Sequence, residues 1–419
     1  MSEAYIIGVY STRFQKWPDR SFKDLTREVY LGVLRDAGLD NGDQIESVWF
    51  GNSSMGRWGQ ACIRGQVCFI PLVRERLFPE RVPIINVEAA CATGSYALHG
   101  AYKDVLSGQG RLALALGVEK IYDPNLEYLE MFKTFKQGID NFDPEEWMEV
   151  YRRTALECGK EFNPQVVNHT IFMETYAIQA CLHMHKYGTT QRQIAVSAAK
   201  NHHHGALNPK AQYQFEMPVE KVLEDRLVSY PLTRSMCAPI SDGAAAALVC
   251  SKDFLSDLPE GVRSRAVKVS ACALTSGKYR TPDETTLSRV AAMKAYVRAG
   301  LGPGDVDVAE VHDATSFCEI LQMEMLGFCE EGRGGPFVES GATSLSGKLP
   351  VNTSGGLVSM GHPVAATGLS MLNELTTQLR GEAGPRQVKD PRVALLQNGG
   401  GLMGLEEAAC GVTILEKVG

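Results

Sequence analysis

Residues 86–95 read Asn86-Val-Glu-Ala-Ala-Cys-Ala-Thr-Gly-Ser95 and place a cysteine between a short strand and a helix. The preceding residues 81–87 form a β-rich apolar run, and residues 92–106 carry apolar side chains at helical spacing. The partial positive charge of a helix N-terminus lowers the pKa of a thiol and favours the nucleophilic thiolate. We therefore predict that Cys91 is a nucleophile, and the alternative is a buried, unreactive cysteine.

The composition is that of an ordinary folded protein, with 419 residues, 44% hydrophobic and 22% charged. This length is enough for two or three domain-sized units. The net charge of −7 argues against non-specific binding to nucleic acid or to an anionic membrane. The sequence shows no signal-peptide pattern, no apolar run of membrane-spanning length and no CxxC pair among its eleven cysteines. We therefore expect a cytoplasmic protein with reduced thiols and no metal site.

An α/β pattern occupies both ends of the chain, and a long aromatic-rich segment interrupts it. We predict an N-terminal half over residues 1–257, with an insertion at about 120–239, and a C-terminal half over residues 258–419. Cys91-Ala-Thr-Gly94 and Ala365-Ala-Thr-Gly368 each open a helix that an apolar strand follows. This repeat indicates two homologous βαβ-rich halves with a site between them.

A histidine stands among glycines in Ser354-Gly-Gly-Leu-Val-Ser-Met-Gly-His-Pro363. Pro363 restricts the backbone directly after His362, and a helix follows. Such a turn can present an imidazole to a cleft, where it can take a proton from a nearby thiol. We predict that His362 is the base for Cys91, and the alternative is a histidine in a surface loop.

Two further segments follow apparent strands. His312 and Asp313 lie at the carboxyl end of one strand, where α/β folds place groups that contact ligands, so His312 can stabilise an oxyanion or is a structural histidine. Gln397-Asn-Gly-Gly-Gly-Leu-Met-Gly404 either brings backbone N–H groups to a substrate or is an ordinary turn. His202-His-His204 has no spacing suited to a metal, and we expect a solvated helix end there.

The three motifs around Cys91, His312 and His362 together resemble the thiolase superfamily. The sequence is most similar to its sterol-carrier-protein-type branch, in which a His-Asp turn stands where degradative thiolases have Asn-Glu. The resemblance implies a thiolase fold of two half-domains in five α-β-α-β-α layers with a long loop insertion. It also implies coenzyme A as co-substrate without a permanently bound cofactor. We expect the segments at Ser354, Gly361, Gly399 and Gly400 to contact it.

The second cysteine of degradative thiolases has no counterpart here. The last glycine-rich segment lacks a thiol, and Ala314 stands where related proteins have one after the His-Asp pair. Cys410 lies in an apparent strand and is predicted to be a packed residue. The candidates that carry the second proton are Cys318, Tyr176, His203 and a water molecule held by His312.

The resemblance implies a thiolase-type acyltransferase that cleaves, or forms by Claisen condensation, a bulky 3-oxoacyl-CoA. One such enzyme of aromatic degradation cleaves 2-benzoylsuccinyl-CoA. The expected partners are the acyl-CoA, a second copy of the chain and a small OB-fold, zinc-ribbon subunit. The alternatives are a thiolase-like aldolase that cleaves a 3-hydroxyacyl-CoA and a non-catalytic protein that binds acyl-CoA or lipid.

Overall fold

The computed structural model describes residues 3–162 and 169–418, which form a mixed α/β structure. Its strands are β1 (Ala4–Ser11), β2 (Ser47–Gly51), β3 (Ile84–Val87), β4 (Leu112–Glu119), β5 (Leu227–Ser229), β6 (Leu232–Thr233), β7 (Gly243–Ser251), β8 (Val267–Ser276), β9 (Val308–Val311), β10 (Val393–Gly400) and β11 (Ala409–Lys417). Its α-helices are α1 (Phe22–Asp36), α2 (Arg64–Arg74), α3 (Thr93–Ser107), α4 (Tyr128–Phe132), α5 (Pro144–Glu157), α6 (Ile171–Tyr187), α7 (Gln191–Ala206), α8 (Val219–Glu224), α9 (Lys252–Ser256), α10 (Glu260–Arg263), α11 (Leu287–Ala299), α12 (Ser316–Met325), α13 (Gly334–Glu339), α14 (Gly356–Met360) and α15 (Thr367–Arg380).

Nine strands form one continuous ladder in the order β3-β2-β4-β7-β1-β8-β11-β10-β9. The first five strands of this order come from the N-terminal part of the chain and the last four from the C-terminal part. The two groups meet where β1 pairs with β8 in antiparallel fashion, Tyr5 opposite Lys268 and Ile6 opposite Val267.

Helices α3 and α15 lie between the two groups of strands. Their buried residues share one apolar cluster with β1, β4, β7, β8 and β10. Helices α1 and α2 cover the outer face of the first group, and α11 and α12 cover the outer face of the second. Because both groups of strands pack on the same two helices, the ladder folds over at the β1–β8 junction. The result is the five-layer α-β-α-β-α arrangement.

The segment between β4 and β7 carries α4 to α8 and packs on the C-terminal half of the chain. Lys200 and Asn201 of α7 make polar contacts with the C-terminal half. Lys200 Nζ lies 2.7 Å from Oε1 of Glu319, and Asn201 Nδ2 donates to Oδ2 of Asp313 at 2.8 Å. The insertion therefore braces the turn that carries His312. Within the described residues, no helix is both long enough and apolar enough to cross a bilayer.

The histidines of α7 correct one prediction. His202 and His204 are buried, and only His203 is exposed. His202 Nε2 lies 3.2 Å from the carbonyl oxygen of Ser235, and His204 Nδ1 lies 3.0 Å from that of Asn352. The expectation of a solvated helix end was wrong because other segments cover α7 on more than one side.

Candidate active site

Cys91 lies in a single 3-10 turn, Ala90–Ala92, directly before α3. The residue is 6% exposed. Ala90 has a left-handed backbone conformation with φ +46°, which costs free energy for a residue with a side chain. This strained turn redirects the chain between β3 and α3 and sets the position of the thiol.

The low pKa predicted for Cys91 is wrong. Burial raises the pKa of this thiol to about 12, because a charged sulfur loses its water on burial. The N–H of Gly401 donates a hydrogen bond to the sulfur and acts in the opposite direction. Three nearby carboxylates add to the increase in pKa, those of Glu407, Glu119 and Glu88. Cys91 is therefore a neutral thiol until a base takes its proton.

A base lies within hydrogen-bond distance of this thiol. Nε2 of His362 is 3.1 Å from Sγ of Cys91, although 271 positions separate the two residues in the chain. Nδ1 of His362 is 2.7 Å from the hydroxyl of Thr367, which donates to the carbonyl oxygen of Pro363 at 3.1 Å. Because the hydroxyl proton is used on the carbonyl, the hydroxyl accepts from Nδ1–H. The lone pair of Nε2 then faces the thiol.

The turn before His362 depends on glycine. Gly361 has φ +105°, and a Cβ atom there would come within 2.6 Å of the hydroxyl of Ser241. That hydroxyl accepts the backbone N–H of His362 at 2.9 Å. Burial, together with the neighbouring His312, holds the pKa of His362 well below its ordinary value. The imidazole is therefore neutral and ready to accept a proton.

His312 follows β9, and its ring is completely buried. Its backbone N–H donates to Oε1 of Gln397 at 3.0 Å. Among the described residues, neither ring nitrogen of His312 has a hydrogen-bond partner. The centre of the ring is 5.3 Å from that of His362, and burial lowers the pKa of His312 to about 4. A neutral ring with unpaired nitrogens in a dry site is suited to an oxygen atom of a ligand.

Asp313 links the two histidine-bearing turns. Its Oδ1 accepts the backbone N–H of Leu357 in α14 at 2.6 Å, and its Oδ2 accepts Nδ2 of Asn201. Helix α14 leads directly to the turn of His362. Burial raises the pKa of Asp313 well above its ordinary value. This carboxyl group therefore holds the turns of His312 and His362 in position. Protein groups already occupy both of its oxygens.

The glycine segment at the end of β10 lies directly against the Cys91 turn. A Cβ atom on Gly400 would be 2.3 Å from the backbone nitrogen of Ala92 and 2.4 Å from the carbonyl oxygen of Ala89. A Cβ atom on Gly399 would be 2.9 Å from Oε1 of Glu407. Gly400 is thus required by backbone contacts within the protein, whereas the neighbour of Gly399 is a flexible side chain that can move. Contact of Gly399 and Gly400 with coenzyme A stays a prediction.

The hydroxyl of Ser354 is used within the protein. It donates to Oε2 of Glu310 at 2.6 Å, and Nδ2 of Asn208 donates to the Ser354 carbonyl oxygen at 2.8 Å. Ser354 lines a cavity of about 320 Å³ beside Lys210, and Cys91 is not in that lining. Contact of Ser354 or Gly361 with coenzyme A stays a prediction. The hydrogen bonds that Ser354 makes within the protein argue against such a contact for that residue.

A separate cavity of about 220 Å³ opens at Cys91. Its polar lining comes from the loop after β2, from the residues around the Cys91 turn, from the end of β4 and from Thr134 and Gln137 of the insertion. Its apolar lining is Ile121, Phe135, Phe172 and Val364. The thiol therefore faces a space with an apolar wall that is large enough for a small organic group.

The sulfur of Cys91, one ring nitrogen of His312 and one ring nitrogen of His362 lie within 4.8 Å of one another. One thiol and two imidazoles are a donor set that zinc accepts. They are also the groups that thiol chemistry needs as nucleophile, base and oxyanion partner. Operation without a metal stays our prediction.

Family models match both halves of the chain. The model described as "Thiolase, N-terminal domain" matches residues 4–228, and the model described as "Thiolase C-terminal domain-like" matches residues 274–416. The chain belongs to the thiolase family. The resemblance that the sequence motifs indicated is confirmed, and so is the thiolase fold.

Relatives of known name support the same assignment. An acetyl-CoA acetyltransferase of Methanothermobacter thermautotrophicus is 35% identical over 409 residues, which cover 96% of this chain and 98% of the relative. Sterol carrier protein 2 of Rattus norvegicus is 35% identical, with 95% and 70% covered. Benzoylsuccinyl-CoA thiolase subunit BbsB of Thauera aromatica is 30% identical, with 95% of each chain covered. This thiolase is an enzyme of the acetyl-CoA acyltransferase type.

A solved structure has the same fold. The Ltp2-ChsH2(DUF35) aldolase matches with a TM-score of 0.77 and 22% sequence identity, and 99% of this chain and 98% of that one are covered. At this level of identity the similarity concerns the fold alone.

Sequence reasoning missed Thr367 and Glu407 at the site. Thr367 lies five positions after His362, at the start of α15. It belongs to the repeated Ala-Thr-Gly stretch, and that repeat is the signal that pointed to it. Glu407 comes from the loop between β10 and β11 and folds back over Gly399. Nothing in the sequence marked that return.

Proposed function

We propose that this thiolase cleaves a 3-oxoacyl-CoA with coenzyme A, or condenses two acyl-CoA molecules in reverse, through an acyl group on Cys91. The contact of 3.1 Å between Cys91 Sγ and His362 Nε2 carries the proposal. A thiol next to an oriented neutral imidazole is the arrangement of an activated nucleophile. Coenzyme A is a co-substrate in this reaction, and no permanently bound cofactor takes part.

In the first half-reaction, His362 takes the proton of Cys91 while the sulfur attacks the 3-keto carbon of the substrate. The negative charge that develops on the keto oxygen is stabilised by a ring N–H of His312 and by backbone N–H groups. The bond between C2 and C3 then breaks, and C2 leaves as the enolate of an acyl-CoA. Because burial disfavours a free thiolate, transfer of the Cys91 proton to His362 accompanies the attack on the carbonyl carbon.

In the second half-reaction, the thiol of coenzyme A attacks the thioester carbonyl on Cys91. The Cys91 sulfur leaves and regains its proton from His362. Splitting the reaction into two acyl transfers replaces a difficult three-body event and gives ping-pong kinetics.

We propose a bulky acyl group, with 2-benzoylsuccinyl-CoA, cleaved to benzoyl-CoA and succinyl-CoA, as the specific candidate. Phe135 and Phe172 in the wall of the Cys91 cavity support an aromatic or extended acyl chain. The name of the Thauera relative points in the same direction, whereas the methanogen relative is named for acetyl transfer. Comparing kcat/KM for 2-benzoylsuccinyl-CoA and acetoacetyl-CoA tests this choice, and a clear preference for acetoacetyl-CoA contradicts it.

We further propose a homodimer that also binds a small OB-fold, zinc-ribbon subunit. The homodimer is supported by β3, which ends the sheet with a free edge among the described strands, and by exposed Ile63 and Ile70 on the adjacent segment. The small subunit is supported by the names of the aldolase complex and of the Thauera subunit, which both indicate assemblies of more than one kind of chain. Light scattering of the purified chain tests the homodimer. Light scattering of the chain co-expressed with the products of its neighbouring genes tests the binding of the small subunit.

The decisive experiment traps the acyl group. The protein is mixed with a 3-oxoacyl-CoA in the absence of free coenzyme A, and its intact mass is measured. We expect an acyl adduct on the wild-type protein and none on Cys91→Ser. The matched control is Cys62→Ser, which removes an exposed cysteine and should leave the adduct in place. Full cleavage activity in Cys91→Ser would eliminate the mechanism.

An aldolase that cleaves a 3-hydroxyacyl-CoA is the second candidate. The absence of a thiol from the last glycine-rich segment favours it, because a retro-aldol reaction needs an acid–base group and no acyl-enzyme. The contact between Cys91 and His362 favours the thiolase reaction instead. Cleavage of a 3-hydroxyacyl-CoA by Cys91→Ser at the wild-type rate would identify the aldolase.

A further inference from the structure

The loop between β10 and β11 brings two neighbouring glutamates close to the site, and the surroundings of their carboxyl groups differ. Glu406 is fully engaged in structure: Oε1 accepts the N–H of Lys278 at 2.8 Å and Oε2 accepts the N–H of Leu287 at 2.9 Å. Oε2 also lies 3.4 Å from Nε of Arg280. Glu406 therefore holds the loop against β8 and α11.

Glu407 has no such role. Within the described residues, no side chain hydrogen-bonds its carboxyl group, and the residue is partly buried. The carboxyl group lies on Gly399, at the position where a side chain of residue 399 would stand. The next residue, Gly400, lies directly on the backbone of the Cys91 turn. A Cβ atom on the following Gly401 would be 3.1 Å from Cβ of Ala408, the residue after Glu407, and 3.7 Å from Cβ of Ala90, the residue before Cys91. The loop that carries Glu407 therefore faces the turn that carries the thiol.

The electrostatic neighbourhood agrees with this placement. The charge of Glu407 acts on the thiols of Cys91 and Cys318 and on the phenol of Tyr176. Among the charged groups near Cys91, Glu407 has the largest effect on the pKa of the thiol. Burial raises the pKa of Glu407, and Glu406 does so as well, against the opposing effect of Arg280. A raised pKa increases the fraction of this carboxyl group that carries a proton, and general acid catalysis needs that protonated form.

We propose that Glu407 is the second acid–base group of this thiolase, which donates the proton to C2 of the departing enolate. The inference rests on the proposed function, which needs such a group and has no second thiol in the glycine-rich segment. The absence of a side chain at Gly399 leaves room for the carboxyl group of Glu407 in the last glycine-rich segment. It is therefore a catalytic residue supplied by the loop that follows the strand.

The protons balance over one turnover. In the first half-reaction the Cys91 proton passes to His362, and the Glu407 proton passes to C2 as the bond between C2 and C3 breaks. Between the half-reactions the proton on His362 passes through water to the Glu407 carboxylate. In the second half-reaction the neutral His362 takes the thiol proton of coenzyme A while its sulfur attacks the thioester on Cys91. The Cys91 sulfur leaves with the proton from His362, so each group returns to its starting state.

The test separates acyl transfer from carbon–carbon chemistry. Exchange of labelled coenzyme A into acetyl-CoA needs only Cys91 and His362, whereas cleavage of acetoacetyl-CoA and of 2-benzoylsuccinyl-CoA also needs the second proton carrier. We expect Glu407→Gln to reduce cleavage by at least about a hundredfold while coenzyme A exchange stays within about threefold of wild type. Glu407→Asp should restore part of the cleavage.

The matched control is Glu406→Gln, which removes the neighbouring charge. We expect it to lower the melting temperature and to leave the ratio of cleavage to exchange unchanged. Equal loss of both reactions in Glu407→Gln would show a structural role and overturn the inference. Retention of both would also overturn it, and Tyr176→Phe and Cys318→Ala, measured in parallel, would then identify the carrier. A wild-type protein that performs neither reaction would overturn the proposed function itself.

Discussion

The hydroxyl of Thr367 holds Nδ1 of His362 at 2.7 Å while it donates its own proton to the carbonyl oxygen of Pro363. This one side chain thus determines which nitrogen of the imidazole faces Cys91. A thiol can give its proton to Nε2 only when the ring proton is on Nδ1. The proposed reaction therefore depends on a residue that does not touch the substrate.

Replacing Thr367 with valine tests this positioning role. We expect Thr367→Val to lower kcat by about 10–100-fold, as for other groups that orient a functional histidine, with a much smaller change in KM. Thr367→Ser keeps the hydroxyl and should retain most of the activity. Equal activity of the valine and serine variants would show that the hydroxyl does not orient the ring.

The pKa of Cys91 predicts how the free thiol reacts. Because burial raises this pKa to about 12, the thiolate fraction grows by about tenfold per pH unit up to that value. We expect the rate of Cys91 alkylation by iodoacetamide, followed by peptide mass spectrometry, to rise steadily from about pH 7 to pH 10. The Cys91→Ser protein identifies the background. A plateau near neutral pH would show a preformed thiolate.

The acid side of the activity profile should reflect His362. Its pKa lies well below the ordinary value because of burial and His312, so the imidazole stays neutral as the pH falls below that value. We expect kcat/KM for cleavage to stay nearly constant from about pH 8 down to pH 6. A decline centred near the ordinary histidine pKa would mean that the site is wetter than the structure indicates.

Gly400 allows β10 to end against the Cys91 turn, and an added methyl group has no space there. A Cβ atom would lie 2.3 Å from the Ala92 nitrogen and 2.4 Å from the Ala89 oxygen, both of the backbone. We expect Gly400→Ala to lower the free energy of unfolding by about 1–3 kcal/mol and to abolish adduct formation on Cys91. Gly261→Ala, with no neighbour within 4 Å, is the control and should change neither quantity appreciably.

A metal test follows from the close approach of Cys91, His312 and His362, whose donor atoms lie within 4.8 Å. If the site works without a metal, dialysis against a chelator leaves kcat unchanged. Added zinc should inhibit, because one thiolate and two imidazoles bind it, and the chelator should restore activity. Loss of activity on chelation that zinc restores would assign the three residues to a metal centre.

The sequence predicted the site residues better than it predicted which segments bury them. His312 with Asp313 and the turn of His362 could be placed because glycine, proline and strand ends are local signals. The same signals suggested a low pKa for Cys91, and that failed because burial depends on which segments cover the turn. His202 and His204 were misplaced for the same reason. Glu407 reaches Gly399 only through the path of a loop, which no local pattern encodes.

The pairing of β1 has a consequence for biosynthesis. Among the described strands this one is translated before the others, and its partners β7 and β8 belong to segments translated much later. Cys91 likewise emerges long before His362. A nascent or prematurely terminated chain thus carries the thiol without its proton acceptor, and it cannot capture acyl groups from the surrounding thioester pool. The proposed chemistry therefore becomes possible only after the segment that carries His362 has been synthesised and has folded against the Cys91 turn.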